Sequence, residues 1–297
     1  MISILIPVFN VSIFSLVQEL SNQLNSLTTE GEILVYDDCS DVLFKTQNRS
    51  INSLAKVVYT ELDKNSGRTT IRQLLAKHAQ YDWLLFIDSD SAITSKNYLN
   101  NYFLSIRGQA DVYSGGRVYA ANEPTECSKK LHWRYGTERE SIKGSKEALH
   151  SNNFCIRKNV FLELGYPVEL SDYGHEDTWM ELALTRKQLK IEFIENPVLH
   201  EGVEDAGVFL EKTKSALKNL LLLPKIFNEA EVRKKVRLYN LYYRLHKLGL
   251  TKIACVVLNI KMKVIEANLL SCNPSLANFD LYRLFHLLQM SKSSQIK

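Results

Sequence analysis

The run Trp83-Leu84-Leu85-Phe86-Ile87, followed at once by Asp88-Ser89-Asp90, restricts this chain more than any other segment. An uninterrupted apolar run of this length fits a strand buried on both faces, as in the interior of a parallel sheet. Two carboxylates two positions apart point the same way while the chain stays extended. They would emerge together at the strand's carboxyl end, where open α/β sheets bind ligands. Two hard oxygen donors in such a crevice suit Mg²⁺ or Mn²⁺, and that ion can neutralise a diphosphate. A solvated acidic turn has the same composition, since Asp and Ser also favour turns. The rest of the chain has to decide between them.

The first two hundred residues alternate strand-like and helix-like segments. Ile2 to Val8 is a β-rich apolar run stopped by Phe9-Asn10. Residues 12–27 carry Ile13, Leu16, Val17, Leu20, Leu24 and Leu27 at helical spacing, with Ser12 as the expected N-cap. Further strands are expected over Glu32–Tyr36 and Lys56–Thr60, and a helix after Ser66 leads to the strand before Asp88. This β-α-β-α-β-α-β order implies a mostly parallel sheet with helices on both faces. Right-handed crossovers then bring Asn10, Asp37, Asp38 and Asp88 to one sheet edge. Residues 110–116 read as another strand and turn, and 120–150 as a long irregular polar loop. A helix over 177–188 and strands over 190–194 and 197–200 follow. From 206 onward four helices are expected, over 206–223, 229–247, 251–270 and 278–290. The charge shift and the loss of strand pattern put a boundary near 205, with an α/β domain over 1–205 and a basic helical region over 206–297.

Several polar motifs fall at the same edge: Asp37-Asp38-Cys39-Ser40, Asn65-Ser66-Gly67-Arg68 with Arg72 one turn later, Asp88-Ser89-Asp90, Gly174-His175-Glu176-Asp177, and His200. Taken in order with Ile4-Leu5-Ile6-Pro7-Val8-Phe9-Asn10, this set resembles family 2 glycosyltransferases of the GT-A fold, with the nearest look to bacterial enzymes that build surface polysaccharide. The resemblance covers residues 1 to about 203. Cys39 stands where Gly or Asn is more usual, and Gln73 where Asn commonly follows the Arg.

A uracil ring needs an acceptor for its N3–H and a shaped slot. Asp38 and the Pro7-Val8-Phe9 turn offer both, and the resemblance places the second Asp of the pair there; an ordinary turn at Asp37-Asp38 is the alternative. Asn65, Gly67 and Arg68 open a helix, whose backbone N–H groups and added cation suit a diphosphate. The resemblance sets Asp88, with Ser89 beside it, toward the ribose. It makes Asp90 and His200 ligands of a divalent ion, Mn²⁺ or Mg²⁺, although a packed histidine would fit position 200 as well. It gives Asp177 the role of catalytic base in an inverting transfer, with Glu176 orienting the acceptor or holding its loop. Two carboxylates at a helix start also complement the helix dipole without any catalytic part. Aromatic and amide side chains serve sugar pockets, so Trp133, Asn152 and Asn153 are candidate acceptor contacts, as are Tyr135 and Trp179; core or loop packing is the first explanation for any single one of them.

The chain has 297 residues and a net charge of +4 that hides an asymmetry. From Val208 onward there are 16 Lys and Arg against 5 Asp and Glu, about +11; residues 1–207 carry 21 against 28, about −7. The basic helices suit an anionic membrane surface, or they pack on the catalytic domain or a second subunit. Nucleic acid is set aside, since no recognised motif accompanies the charge. No secretory signal is expected before the first strand. The apolar run 253–260, bracketed by Lys252 and Lys261, is too short to span a bilayer. Five scattered cysteines without CxxC spacing argue against a disulfide framework and for a reducing cytoplasm, with peripheral attachment at the inner face of the cell membrane.

The sequence therefore points to a metal-dependent transferase that moves a sugar from a nucleotide-sugar, a UDP-sugar first, to a glycan or lipid-linked glycan. The rival readings are a non-catalytic glycan- or membrane-binding scaffold on the same fold, and a sugar-1-phosphate nucleotidyltransferase. The last would want a Gly-rich basic loop after the first strand, which Pro7-Val8-Phe9-Asn10 lacks. Oligomeric state is open.

Overall fold

The computed structural model describes residues 1–141, 149–165, 170 and 173–294. Part of the expected 120–150 loop, residues 142–148, lies outside the described residues. The first elements are β1 (Ile2–Val8), α1 (Phe14–Ser26), β2 (Gly31–Asp37), α2 (Val42–Asn48), β3 (Val57–Glu61), α3 (Arg68–His78) and β4 (Trp83–Ile87). They are followed by β5 (Ser91–Ala92), α4 (Tyr98–Ser105), β6 (Val112–Ser114), β7 (Arg117–Val118), α5 (Lys130–Tyr135), β8 (Asn153–Arg157) and α6 (Lys158–Leu164). Next come α7 (Glu176–Arg186), β9 (Ile191–Phe193) and β10 (Val198–His200). The remaining described elements are helices: α8 (Ala206–Ile226), α9 (Glu229–Lys235), α10 (Arg237–Lys247), α11 (Thr251–Leu269) and α12 (Leu276–Ser294).

The chain forms two compact units, each drawn from several segments. The first comprises Met1–Ala120, Arg139–Pro167 and Ala183–Gly202; the second comprises Ala121–Glu138, Val168–Leu182 and Val203–Lys297. The helices from α8 onward thus fall in the second unit, accompanied by two earlier stretches of chain.

The first unit holds a seven-stranded sheet in the order β3-β2-β1-β4-β8-β6-β9 and a three-stranded sheet in the order β5-β10-β7. Strands β1 to β4 run parallel, with Val8 opposite Asp37 and Asp37 opposite Glu61. Strand β8 runs antiparallel to both β4 and β6. This is the mostly parallel α/β architecture of the GT-A fold. Ile4, Ile6 and Val8 of β1 meet Leu16, Val17, Leu20 and Leu24 of α1 in one buried cluster. The alternate residue Leu5 points to the other face and is also buried, where α3 lies along β1 and β2. Burying each such side chain contributes about 2 kcal/mol.

Some sequence expectations need correction. The N-cap of α1 is Ile13 and makes no side-chain cap bond; Ser12 is exposed. Ile13 N–H donates instead to Asn48 Oδ1 at 3.1 Å, so a distant buried amide does the work of a cap. The stretch expected as a loop contains α5, and a further turn of helix continues it through Glu140. The single helix expected over 229–247 is two, because Val236 is extended (φ −112°, ψ 104°). Asn228 caps the first of these reciprocally with Glu231, which fixes its start.

The second unit packs α12 against α8, α10 and α11, with α5 against α8 and α12. Phe209 stacks on Phe279 there with Tyr135 tilted against the first and edge-on to the second, and Trp179 is buried, so Tyr135 and Trp179 both take part in packing. The expectation of unpaired cysteines also changes. Cys127 and Cys272 form a disulfide across a sequence separation of 145, while Cys39, Cys155 and Cys255 are free.

Candidate active site

At the carboxyl edge of β1 and β2 the chain turns through two non-glycine residues in the left-handed region, Asn10 (φ 53°) and Cys39 (φ 64°). Bonds between the two turns hold them: Asn10 N–H donates to Ser40 Oγ at 2.8 Å, and Asp41 N–H to Asn10 Oδ1 at 2.8 Å, on the residues that follow Cys39. Such conformations persist only where the surroundings over-determine them. Asp37 is fully buried and structural, accepting from Ser40 N–H at 2.6 Å and Tyr59 O–H at 2.9 Å. Asp38 donates its N–H to Val8 O at 2.8 Å, which seats it beside the Pro7-Val8 end of β1; Phe9 beyond it is half exposed.

The Asp38 carboxylate faces the next motif. Oδ1 accepts from Ser66 N–H and Ser66 O–H, both at 2.7 Å, and Oδ2 accepts from Gly67 N–H at 2.9 Å. Asn65 Nδ2 donates to the Asp38 carbonyl at 3.2 Å. Gly67 is the N-cap of α3 and adopts φ 83°, which a side chain would oppose even though the space around it is open. A carboxylate has about four lone-pair directions, and three here are taken, so Asp38 pins the α3 entry and keeps one acceptor direction.

Arg68 and Arg72 lie one turn apart on α3 and both reach Asp88 at the end of β4. Arg68 Nη2 is 2.9 Å from Asp88 Oδ2, and Arg72 Nη2 contacts Oδ1. Arg72 is 1% exposed, and its Nε and Nη1 are buried without a hydrogen-bond partner. A guanidinium so placed is a costly group to leave underused. Its signal in the sequence was the four-residue spacing from Arg68.

Two residues past Asp88, the carboxylate of Asp90 lies where β5 pairs with β10. Ser91 is the antiparallel partner of His200, which sets Asp90 Oδ1 3.5 Å from His200 Nδ1. Tyr119 packs edge-on against the His200 ring and donates its O–H to Glu140 at 2.6 Å. Burial pushes the Asp90 carboxyl up, but the neighbouring His200 with Arg68 and Arg117 outweighs it and brings the group down to about 2. Gly202 lies alongside. A Cβ at that position would come within 2.6 Å of Asp90 Oδ2 and 3.0 Å of Asp90 Cβ.

These residues fit a divalent ion. Asp90 Oδ1 is buried and ionised, the His200 ring nitrogen faces it at 3.5 Å, and Gly202 keeps the carboxylate's other side clear. Among the described residues no three His, Cys, Asp or Glu side chains gather. A hard cation held by one or two protein ligands takes its remaining oxygens from phosphate and water.

The antiparallel strand β8 brings Asn152 to the same place. Asp88 N–H donates to the Asn152 carbonyl at 3.1 Å, and the Asn152 amide is buried with neither polar atom hydrogen-bonded. Asn153 is different and must be withdrawn as a sugar contact. Its Oδ1 accepts from Tyr98 O–H and Tyr102 O–H at 2.6 and 2.7 Å, and its Nδ2 donates to Gly116 O and Asn196 O at 2.7 and 2.9 Å. Fully buried with all four positions filled, it has nothing left for a ligand.

The first unit thus links Val8, Asp38, the 65–68 turn, Asp88, partly buried Ser89, Asp90, Asn152 and His200. Glu176, Asp177 and Trp133 belong to the second unit. There Gly174 (φ 100°) and His175 (φ 65°) make a left-handed turn into α7. A Cβ on Gly174 would lie 2.4 Å from Ala216 Cβ, and Asn219 Nδ2 donates to the Gly174 carbonyl at 2.8 Å, so α8 clamps the turn. Glu176 is buried, and Asp177 follows it in the first turn of α7. Burial and Arg283 push the His175 imidazole down to about 4 against the opposing pull of Asp177.

A sequence model described as Glycosyl transferase family 2 matches residues 3–165. No curated protein matches the chain. Among solved structures, the mannosyltransferase PcManGT from Pyrobaculum calidifontis, in complex with GDP-Man and Mn²⁺, is similar with a TM-score of 0.53 at 12% identity over 75% of this chain. The chain spans 64% of that protein's length. S. aureus TarS 1-349 in complex with UDP-GlcNAc is similar with a TM-score of 0.51 at 15% identity, over 99% of this chain and 92% of that one.

Proposed function

Because the chain belongs to glycosyl transferase family 2, we propose that it transfers a sugar from a nucleotide-sugar, a UDP-sugar first, to a hydroxyl of a glycan or lipid-linked glycan, with inversion at the anomeric carbon. The observation that carries this reading is the end of β4, where Asp88 is held by two arginines and Asp90 faces His200. The remaining acceptor direction of Asp38 suits the base N–H, with Pro7, Val8 and Phe9 as the slot. Asn65, Gly67 and Arg68 meet the diphosphate, and Asp88 with Ser89 meets the ribose. Asp90 and His200 would hold Mn²⁺ or Mg²⁺, which supplies neutralisation of the charge growing on the leaving diphosphate. The buried, unpaired Asn152 amide is suited to sugar hydroxyls, and Trp133 to stacking on the acceptor.

Asp177 is the base on the strength of the Gly174-His175-Glu176-Asp177 motif. It takes the acceptor's hydroxyl proton while that oxygen forms its bond to the anomeric carbon. The bond from that carbon to the diphosphate oxygen breaks, and the nucleoside diphosphate leaves with the electron pair. Glu176 orients the acceptor or the turn that carries Asp177. The setting we infer is surface-polysaccharide synthesis on the cytoplasmic side, where nucleotide-sugars are made; there the Cys127–Cys272 pair would stand as two thiols.

The test is binding and slow hydrolysis of a panel of UDP- and GDP-sugars, with Mn²⁺ and with EDTA. GDP-Man and UDP-GlcNAc, present in the structures of the two similar proteins, are its first members. Metal-dependent binding and turnover of one donor is expected. Failure of every donor to bind under both conditions would overturn the reading.

A further inference from the structure

We propose that the second unit rests on an anionic lipid bilayer through the outer face of α11. Ile253, Val256, Val257, Ile260 and Val264 recur at helical spacing and form one stripe. All five are exposed, Ile260 by 76% and Val264 by 72%. The opposite side of the same helix, with Cys255, Leu258, Met262, Ile265 and Leu269, is buried where α11 packs on α10 and α12. The stripe is therefore surplus to the internal packing, and contiguous exposed apolar area of this kind marks an interaction surface.

The charge around the stripe selects the occupant. At 100° per residue, Lys252 and Lys263 flank one border and Lys261 the other. All three are exposed, and their stems can lie along the apolar face with the ammonium groups at its rim. From Val232 to Ile265 the chain has nine Lys and Arg and not one Asp or Glu. A second copy of the same face would set three lysines of each rim against each other, with Glu266, half-buried beyond the Lys252–Lys263 border, as the one carboxylate of α11 to pair them. An anionic headgroup layer satisfies both features, receiving the aliphatic stripe at the acyl boundary and the lysines at the phosphates. Among the described residues no helix is long and apolar enough to cross a membrane, so α11 lies on the surface. The inference stands independently of the transferase reading.

Flotation of the full chain tests it, with vesicles of phosphatidylcholine alone and vesicles in which about one third is phosphatidylglycerol. The protein is expected to float with the anionic vesicles at low salt and not with the neutral ones. Ile260→Glu with Val264→Glu should abolish flotation. Lys252→Gln, Lys261→Gln and Lys263→Gln together should weaken it about a hundredfold. The lysine triple replaces only exposed groups, so it decides the matter if the glutamate pair impairs folding, as read from the melting curve. Absence of flotation on anionic vesicles overturns the proposal, as does flotation that the variants leave unchanged. A dimer in size-exclusion chromatography with light scattering that Ile260→Glu splits would assign the stripe to a second copy instead, and overturn it too.

Discussion

Asp90 Oδ1 and His200 Nδ1 lie 3.5 Å apart because Ser91, the residue after Asp90, is the antiparallel partner of His200. A two-residue ladder therefore builds the candidate metal pair, and either member can be removed without touching the large sheet. Asp90→Ala should make donor affinity the same in Mn²⁺ and in EDTA. His200→Ala should weaken the metal-dependent part at least about tenfold. Titration calorimetry reads both, and a wild-type response to Mn²⁺ in Asp90→Ala would remove the ion from this site.

Gly202→Ala is a subtler probe. Its Cβ would press on Asp90 at 2.6 Å from Oδ2 and 3.0 Å from Cβ, so the carboxylate must move. Metal-dependent donor binding should fall while the melting temperature changes little. Equal loss of donor binding in EDTA would show a general disruption instead.

Asp38→Ala should cost stability as well as donor binding. It strips Ser66 N–H, Ser66 O–H and Gly67 N–H of their shared acceptor. The loss is about 3 kcal/mol for charge-assisted bonds at a largely buried carboxylate. Urea denaturation checks it; a change below about 1 kcal/mol would mean that the turn finds other partners.

Asp177→Asn keeps the shape of the α7 entry and removes the proposed base. Turnover is expected to fall about 10²- to 10⁴-fold with donor affinity retained. Single-turnover kinetics beside donor titration separates the two, and activity within about tenfold of wild type excludes the base assignment.

His175 carries a pH dependence. Its imidazole is held down at about 4 in the fold, against 6.5 when unfolded, by burial and by Arg283. Below pH 6.5 the unfolded chain therefore binds a proton that the folded chain refuses, and stability declines until about pH 4. His286, also held at about 4, acts in the same direction. The comparison is thus between wild type and His175→Asn, since Asn tolerates the left-handed backbone at this position. Urea midpoints at pH 7.5, 6 and 5 should fall less steeply in the variant; parallel slopes would count against the assignment.

The four parallel strands and their polar ends were legible because a strand buried on both faces leaves an unbroken apolar run, and parallel register then aligns the ends. That placed Asp38 and Asp88 correctly at one edge. Strand β8 was not legible, since a short antiparallel insert such as Asn153–Arg157 carries no period of its own. Asn152 and Asn153 consequently looked equivalent. Only the strand's register separates the orphaned amide beside Asp88 from the one saturated by Tyr98, Tyr102, Gly116 and Asn196. Gly202 gave no sign because its part is to be small next to Asp90. The pairing of Cys127 with Cys272 escaped for a related reason: spacing does not report closeness across a separation of 145 residues.

The closeness of Cys127 and Cys272, as a disulfide or as two thiols, limits how the molecule can be taken apart. Cys272 sits between α11 and α12, while Cys127 belongs to the stretch Ala121–Glu138 in the middle of the catalytic sequence. The C-terminal helices are therefore not a detachable module. A chimera that grafts them onto another transferase has to carry residues 121–138 along, and a chain stopped short of α12 leaves the aromatic stack of Tyr135 and Phe209 without Phe279.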